Sequence, residues 1–130
     1  MFNDAIRKGA GRIGEEIATD FLKGKGFTII ARNFRKPWGE IDIIAERGNV
    51  VRFVEVKTLS RGHLFDVSRE NNNYRPEEKV HKWKLRKIAR TAEMYMNAMK
   101  DSREYQIDVV GVFLDMNRRM ARCRLFEQVL

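Results

Sequence analysis

Two neighbouring β-prone segments carry acidic side chains and a lysine whose types and spacing suit chemistry on a phosphate group. The first segment contains Glu40 and Asp42, and the second contains Glu55 and Lys57. Successive side chains of a strand point to opposite faces, so Glu40 shares a face with Asp42 and Glu55 shares a face with Lys57. The chemistry therefore depends on whether these two faces coincide in the folded sheet.

The short connection between the two segments predicts their register. A glycine and an asparagine at positions 48 and 49 are typical of a two-residue hairpin turn, which would pair Arg47 with Val50. Counting outward from that turn places Asp42 opposite Glu55. The two acidic side chains are therefore expected on one side of the sheet.

An acidic pair that faces across a sheet favours a bound cation, because like charges directly opposite each other destabilise the sheet. Mg²⁺ suits Asp42 and Glu55, since it usually takes one or two protein carboxylates together with waters and phosphate oxygens, and Mn²⁺ is the expected substitute. Lys57 would position or help deprotonate a water and offset charge that develops on the phosphate. Glu40, which the same register places opposite Lys57, is either a further metal ligand or the ion-pair partner of that lysine.

A structural explanation competes with this chemistry. An isolated Glu-Val-Lys in a strand is usually a solvated face with a cross-strand ion pair. The spacing from Asp42 across a turn to Glu55, at the end of a strongly apolar strand, favours a functional site over an ion cluster.

The elements that would position these side chains follow from the periodicity of the chain. The first helix is predicted over residues 4–25, where apolar residues recur every three or four positions at Ile6, Ala10, Ile13, Ile17 and Phe21. Glu15 lies at the edge of the buried stripe and is the candidate for a fourth acidic ligand, whereas Glu16 points to solvent.

The remaining elements give an α/β chain in the order α-β-β-β-α-β-β, a mixed central sheet flanked by helices within a single domain over residues 1–130. Strands are predicted over residues 27–33, 40–46, 50–58, 105–114 and 120–129, a second helix over 76–100, and a mobile loop over 59–75. Asp108, inside an apolar strand, is interpreted as a buried hydrogen-bonded residue rather than a catalyst. His63 and His81 lack metal-ligand spacing and are not assigned to the site.

The second predicted helix combines an apolar side with a basic side. The side expected to be buried comprises Leu85, Ile88, Ala89, Ala92, Tyr95, Met96 and Met99. The basic outer side, which comprises Lys79, Lys82, Lys84, Arg86, Lys87 and Arg90, favours phosphate contact over a merely solvated face.

Composition narrows the class of protein. The net charge of +8 indicates a polyanionic partner, and 43% hydrophobic with 34% charged residues indicates a soluble globular chain. No apolar run is long enough to span a bilayer, and residues 1–12 do not resemble a secretory signal. Cys123 is the only cysteine, which excludes an internal disulfide and a cysteine zinc cluster. We therefore expect a cytoplasmic protein without membrane contact.

Three motifs together resemble the YraN-like bacterial family of predicted endonucleases. They are GRIGEEIA at residues 11–18, GEIDIIA at 39–45 and FVEVKT at 53–58. That family is similar to archaeal Holliday junction resolvases within the PD-(D/E)XK superfamily, so the resemblance implies a restriction-endonuclease-like fold. Ile41 stands where the superfamily name has proline, which leaves the neighbouring carboxylate in place.

The resemblance also implies roles for individual side chains. It makes Glu15 the helix carboxylate, Asp42 the central metal ligand, Glu55 the second ligand and Lys57 the catalytic lysine. Together with the residue patterns, it predicts Mg²⁺-dependent hydrolysis of phosphodiester bonds in DNA, including branched or irregular DNA.

Two other functions remain open at the level of sequence. One is a nucleic-acid-binding module that keeps the fold without turnover. The other is a basic scaffold that binds a protein through the region of Tyr95, Met96 and Met99. The sequence does not decide whether the substrate is DNA or RNA, what shape the substrate has, or whether the chain forms a homodimer as resolvases do.

Overall fold

The described part of the chain forms two helices and five strands in the predicted order. The computed structural model describes residues 2–61 and 82–130, and the side chains of residues 9, 11–60 and 82–130. The elements are α1 (Phe2–Gly24), β1 (Thr28–Lys36), β2 (Gly39–Arg47), β3 (Val50–Arg61), α2 (Lys82–Ala98), β4 (Tyr105–Asp115) and β5 (Met120–Phe126). Neither of these two helices combines the length and the apolar character needed to cross a lipid bilayer.

The five strands make one mixed sheet in the order β1-β2-β3-β4-β5. Strands β3 and β4 run parallel, and the other neighbouring pairs run antiparallel. A parallel pair requires a long crossover connection, and α2 lies within the one between β3 and β4. The predicted mixed sheet flanked by helices is confirmed, and this arrangement is consistent with a restriction-endonuclease-like fold.

Each face of the sheet is covered by one helix, because side chains of the central strands alternate between two apolar layers. In β3, Val51 and Phe53 belong to the layer beneath α2, and Val54 belongs to the layer beneath α1. The α2 layer also contains Leu85, Ile88, Ala92, Met96, Ile107 and Val109. The α1 layer also contains Ala18, Leu22, Phe27, Val110, Val112 and Leu114. The sheet is thus fixed from both sides.

Helix α1 is rotated relative to the predicted stripe. Gly14, Ala18 and Leu22 face the sheet, whereas Ile13 is 42% exposed, so its predicted burial is wrong. The reason is the close approach of α1 to β3, since a Cβ atom at Gly14 would collide with the side chain of Thr58. The small face of α1 therefore forms the contact.

Helix α2 buries the predicted apolar side except at its end. Leu85, Ile88, Ala92 and Met96 are buried, as predicted, and Thr91 is buried with them. Met99 is 61% exposed, so its predicted burial is wrong, because the helix ends at Ala98. The predicted start of this helix, at residues 76–81, lies outside the described residues.

Strand β3 is longer than predicted, which shortens the predicted loop. Leu59, Ser60 and Arg61 continue the strand and pair with residues 113–115 of β4, so their assignment to a loop over residues 59–75 is wrong. Extended parallel pairing accounts for the difference, because it satisfies backbone groups that a loop would leave to solvent. The rest of the predicted loop, residues 62–75 with His63, lies outside the described residues, and so do Lys79 and His81.

Asp108 has the structural role predicted for it. It is fully buried and accepts hydrogen bonds from Arg52 Nη1 at 2.8 Å, Gln106 Nε2 at 2.9 Å and the N–H of Gln128 at 2.8 Å. The last bond holds the segment after β5, which ends at Phe126 and not at residue 129. A buried carboxylate with three donors is well compensated for its loss of water.

Candidate active site

The hairpin between β2 and β3 has the predicted turn and register. The turn glycine and asparagine have φ angles of 61° and 65°, the left-handed conformation that such a turn requires at both positions. Arg47 pairs with Val50, as predicted, and the ladder continues to the pair of Ile43 and Val54. The acidic pair follows immediately after this last rung.

Asp42 and Glu55 lie in contact where regular pairing of β2 with β3 stops. The carboxylate of Asp42 accepts a hydrogen bond from the backbone N–H of Val56 at 2.8 Å, so a side chain takes the place of a backbone acceptor. The carboxyl groups of Asp42 and Glu55 are within hydrogen-bonding reach of each other. The structure therefore brings together the two carboxylates that the sequence pairs.

Side-chain alternation is interrupted around Asp42. Ile41 and Ile44 both pack in the layer beneath α2, whereas Ile43 packs in the layer beneath α1. Strict alternation would place Ile41 with Ile43, so the predicted strand is confirmed but the alternation predicted within it is wrong at Ile41. The irregularity allows the Asp42 carboxylate to reach the backbone of the next strand.

Burial and crowding of negative charge set the electrostatics of the pair. Glu55 is 6% exposed, and burial followed by the charge of Asp42 raises its pKa to about 7, against the opposing effect of Lys84. Burial also raises the pKa of Asp42, while the hydrogen bond from Val56 opposes that rise. The pair therefore favours a proton or a cation at neutral pH.

Lys84 supplies positive charge to this pair from α2. Its Nζ lies 2.5 Å from Oε2 of Glu55. Burial alone would lower the pKa of Lys84, but the contact with Glu55 and the charges of Asp42 and Glu40 together outweigh burial, and the pKa is raised. Lys84 was predicted on the outer basic side of the helix, and it lies at the edge of that side, since its side chain is 45% exposed while its ammonium group contacts Glu55. The exposed basic residues of α2 include Lys82, Arg86, Lys87 and Arg90.

Lys57 and Glu40 occupy different environments. Lys57 follows Glu55 by two positions in β3, so alternation places both on the face of the sheet that α2 covers, and Lys57 is partly buried. Glu40 is exposed, and its Oε2 atom lies 3.8 Å from Nε of Arg35. The predicted ion pair between Glu40 and Lys57 is absent from the described residues, because Glu40 lies beside a basic side chain of its own hairpin.

The Glu15 carboxylate on α1 is close enough to Asp42 to affect its pKa, and it accepts hydrogen bonds from Asn33, a residue that the sequence did not predict for the site. With its amide nitrogen turned toward the carboxylate, Asn33 donates to both oxygens of Glu15 at 3.2 Å. The charge of Glu15 also contributes to the raised pKa of Asp42. Asn33 lies between residues that pair with positions 43 and 41, so it stands across from Asp42.

A positive backbone φ of 51° at Asn33 explains the choice of residue. Asparagine tolerates this left-handed conformation better than other residues with a side chain, apart from aspartate. An asparagine inside a β-prone run was the available sequence signal. Through Asn33, β1 contributes a hydrogen-bond donor to a site otherwise made by α1, α2, β2 and β3.

The site offers a hard divalent cation a small set of oxygen ligands. Two carboxylates in contact, both with raised pKa values, match the one or two that Mg²⁺ takes from proteins. Among the described side chains, those of residues 9, 11–60 and 82–130, no three from histidine, cysteine, aspartate or glutamate are gathered closely enough to bind a metal together. The fit therefore rests on Asp42 and Glu55, with Glu15 acting from farther away.

Comparisons with known proteins give a consistent family match. The model of the uncharacterised protein family UPF0102 matches residues 14–112, a range that contains all the site residues named above. A UPF0102 protein of Campylobacter jejuni subsp. doylei is 37% identical over 106 residues, covering 82% of this chain and 85% of the relative. A UPF0102 protein of Dictyoglomus thermophilum is 33% identical, covering 87% of this chain and 89% of the relative. A UPF0102 protein of Clostridium botulinum is 37% identical, covering 83% of this chain and 82% of the relative.

Proposed function

The chain belongs to the uncharacterised protein family UPF0102, the YraN-like group that its motifs resemble, and we propose that it is a Mg²⁺-dependent endonuclease acting on DNA. The observation that carries this proposal is the buried contact between Asp42 and Glu55, with Lys57 two residues farther along β3. Two carboxylates and a lysine at one point of a sheet suit phosphodiester hydrolysis, in which water is the nucleophile.

Asp42 and Glu55 would hold the divalent cation. When bound, Mg²⁺ supplies a positive charge that stabilises the negative charge developing on the phosphate in the transition state. The N–H of Val56 fixes one oxygen of Asp42, which leaves its other oxygen for the cation. Mn²⁺ would substitute, because it shares the preference for oxygen ligands.

Lys57 and Glu15 would complete the reaction site. Lys57 offsets charge on the attacked phosphate and positions the attacking water, since its ammonium group carries only hydrogen-bond donors. Glu15, oriented by Asn33, adds negative charge from the opposite side and raises the affinity for a cation. Glu40 is exposed and ion-paired, and we leave it out of the proposed ligand set.

DNA binding is supported by the charge of the chain and of α2. The net charge is +8, and the exposed side of α2 carries Lys82, Arg86, Lys87 and Arg90. Such side chains bind phosphates and release condensed counterions, which gives affinity without sequence preference. The proposal includes a cytoplasmic location, which a single cysteine in 130 residues suits.

A nucleic-acid-binding module without turnover is the competing function. The contact of Lys84 with Glu55 favours it, because an ammonium group already balances one carboxylate without a metal. A panel of labelled duplex, single-stranded, flap and four-way junction DNAs, incubated with Mg²⁺ or Mn²⁺, discriminates the two functions. Cleavage by the wild-type protein supports the nuclease, and binding without cleavage of any substrate supports the module.

Two variants test the assignment of the chemistry. Glu55→Gln keeps the side-chain volume but removes a metal-binding charge, and Lys57→Ala removes a positive charge near the phosphate. Each should lower the single-turnover cleavage rate on the order of a hundredfold or more. High Mg²⁺ or Mn²⁺ should partly rescue Glu55→Gln and leave Lys57→Ala unchanged. Wild-type rates in a folded Lys57→Ala protein would refute the mechanism.

The matched control is Glu16→Gln. Glu16 follows Glu15 on α1, but its side chain is 65% exposed and pairs with Arg32 at 3.0 Å. Its substitution should leave the cleavage rate within about twofold, because a solvated carboxylate contributes little. An equal loss in Glu16→Gln and Glu55→Gln would attribute the effect to general charge and not to the site.

A further inference from the structure

Both tryptophans of the chain are exposed. Trp38 is 43% exposed and Trp83 is 62% exposed, and the chain contains two tryptophans in total. An indole ring offers a large apolar surface whose burial is favourable, so proteins often use exposed indoles for contact with a partner. The positions of these two rings relative to the acidic pair indicate which partner.

Trp83 lies at the described beginning of α2, one residue before the lysine that contacts the acidic pair. The next residue in the chain is Lys84, whose ammonium group contacts Glu55. Lys87 and Arg90 follow Trp83 by four and seven positions, so they lie on the same exposed stripe of the helix. An aromatic ring and two cations therefore share one exposed stripe of the helix whose Lys84 contacts the candidate site.

Trp38 lies in the turn between β1 and β2, beside a residue that packs against the same helix. It precedes Gly39, where an added Cβ atom would collide with the side chain of Thr91 on α2. Glu40, the following residue, is close enough to Lys84 to influence its pKa. Thr91 is eight positions after Trp83, or about 12 Å along the helix axis, so Trp38 and Trp83 both belong to the side of the sheet that α2 covers.

We infer that Trp38 and Trp83 are stacking platforms for unpaired bases, and that the substrate carries a single-stranded segment next to the phosphate that is cut. This inference deepens the proposed nuclease function and rests on its nucleic-acid binding. Exposed aromatic rings interleaved with basic side chains are the arrangement by which proteins hold single strands, because every base has a face that stacks. The bases of an intact duplex are stacked inside it and do not offer these faces.

The charge of this surface favours a nucleic acid over a protein partner. Lys87 and Arg90, together with Lys82 and Arg86, would follow the phosphate backbone while the two indoles take bases. Each such base–aromatic contact strengthens binding by roughly 5- to 150-fold. A strand held in this way would pass Lys84 and the acidic pair.

Intrinsic fluorescence tests the inference directly, because Trp38→Phe and Trp83→Phe each leave a single indole as the reporter. The full chain is titrated without divalent metal, in EDTA, with oligo-dT, with oligo-rU of equal length and with a blunt duplex. Both indoles should lose emission with a single strand and keep most of it with the duplex. Quenching by either single strand supports the inference, and the stronger of the two identifies the preferred sugar.

Affinity supplies a second measurement. Trp83→Ala and Trp38→Ala should each weaken oligonucleotide binding by roughly 5- to 150-fold, while the two phenylalanine variants retain most of the affinity because a ring remains. Met120→Ala is the control, since Met120 is 59% exposed and lies at the start of β5, and its affinity should be unchanged. Circular dichroism confirms the fold of each variant. Unchanged affinity in both alanine variants would overturn the inference.

The outcomes separate this inference from the proposed activity. Cleavage of a plain duplex without quenching of either indole would leave the nuclease in place and remove the single-strand inference. Quenching by a single strand without cleavage of any substrate would retain the inference and remove the proposed hydrolysis. Absence of quenching with every nucleic acid would overturn the inference and indicate that the indoles contact a protein.

Discussion

Glu55→Gln should stabilise the metal-free protein at high pH, although it should abolish cleavage. In the folded protein the pKa of Glu55 is raised from 4.5 to about 7, so the folded state holds a proton that the unfolded state releases. For a raised pKa, the stability from this group is fully present below the unfolded value and is lost as pH rises through the folded value. The affected window therefore runs from about pH 4.5 to pH 7.

The size of the effect follows from the two pKa values. Their difference is about 2.5, and each unit corresponds to about 1.4 kcal/mol, so the ionised Glu55 destabilises the folded state by about 3 kcal/mol at pH 8. Most of this loss, about 2.5 kcal/mol, develops between pH 5 and pH 8. The neutral glutamine should not show this loss, and its amide can still donate to Asp42 as the protonated carboxyl does.

Urea denaturation in EDTA at pH 5 and pH 8 measures this difference for the wild type, Glu55→Gln and the control Glu16→Gln. The wild type should lose stability relative to Glu55→Gln as pH rises, and Glu16→Gln should follow the wild type. Other carboxyl groups also titrate, but the comparison between variants removes their common contribution. An identical pH dependence of the wild type and Glu55→Gln would refute the placement of this carboxyl in a buried acidic pair.

Adding Mg²⁺ extends the same experiment to the proposed cation site. A ligand that binds only the folded state stabilises it in proportion to the logarithm of its concentration above its Kd. At pH 8 the wild type should gain stability with Mg²⁺, and Glu55→Gln should gain less, because one ligand is missing. Equal gains in the two proteins would mean that Mg²⁺ binds away from this pair.

Two further predictions concern residues that support the site and the fold. Asn33→Ala should leave the fold intact but lower cleavage by about tenfold, because the Glu15 carboxylate loses its donor; single-turnover rates and circular dichroism check this variant, and an unchanged rate would remove Asn33 as a positioning residue. Asp108→Ala should destabilise the protein by about 1–3 kcal/mol, because it removes the acceptor of three hydrogen bonds and leaves Arg52 with Glu127 as its carboxylate partner, and an unchanged stability in urea would contradict this account.

Local chemistry explains why much of the fold could be predicted. The glycine and asparagine of the β2–β3 turn set the register by themselves, and the ladder from Arg47 to Ile43 follows from it. The order of helices and strands follows from apolar periodicities of two and of three to four residues. The contact of Asp42 with Glu55 was therefore accessible from the sequence, because it depends on counting from one turn.

Contacts made between distant elements could not be predicted in the same way. The contact of Lys84 with Glu55 depends on how α2 packs over the sheet. The sequence does not reveal this contact, because Lys84 stands among other basic residues of the helix. The donation from Asn33 to Glu15 depends on an irregular position in β1 that periodicity does not reveal. The exposure of Met99 depends on where α2 ends.

Packing at two glycines links the family motifs to the geometry of the site. Gly14 lets α1 approach the side chain of Thr58 in β3, and Gly39 lets the β1–β2 turn approach Thr91 on α2. Glu15 follows the first glycine directly, so the close approach of α1 also brings its carboxylate toward the sheet. A Cβ atom at either glycine would collide with a threonine side chain, which would have to shift. The glycines beside the acidic residues of the motifs therefore allow α1 and α2 to lie close to the sheet that carries Asp42 and Glu55.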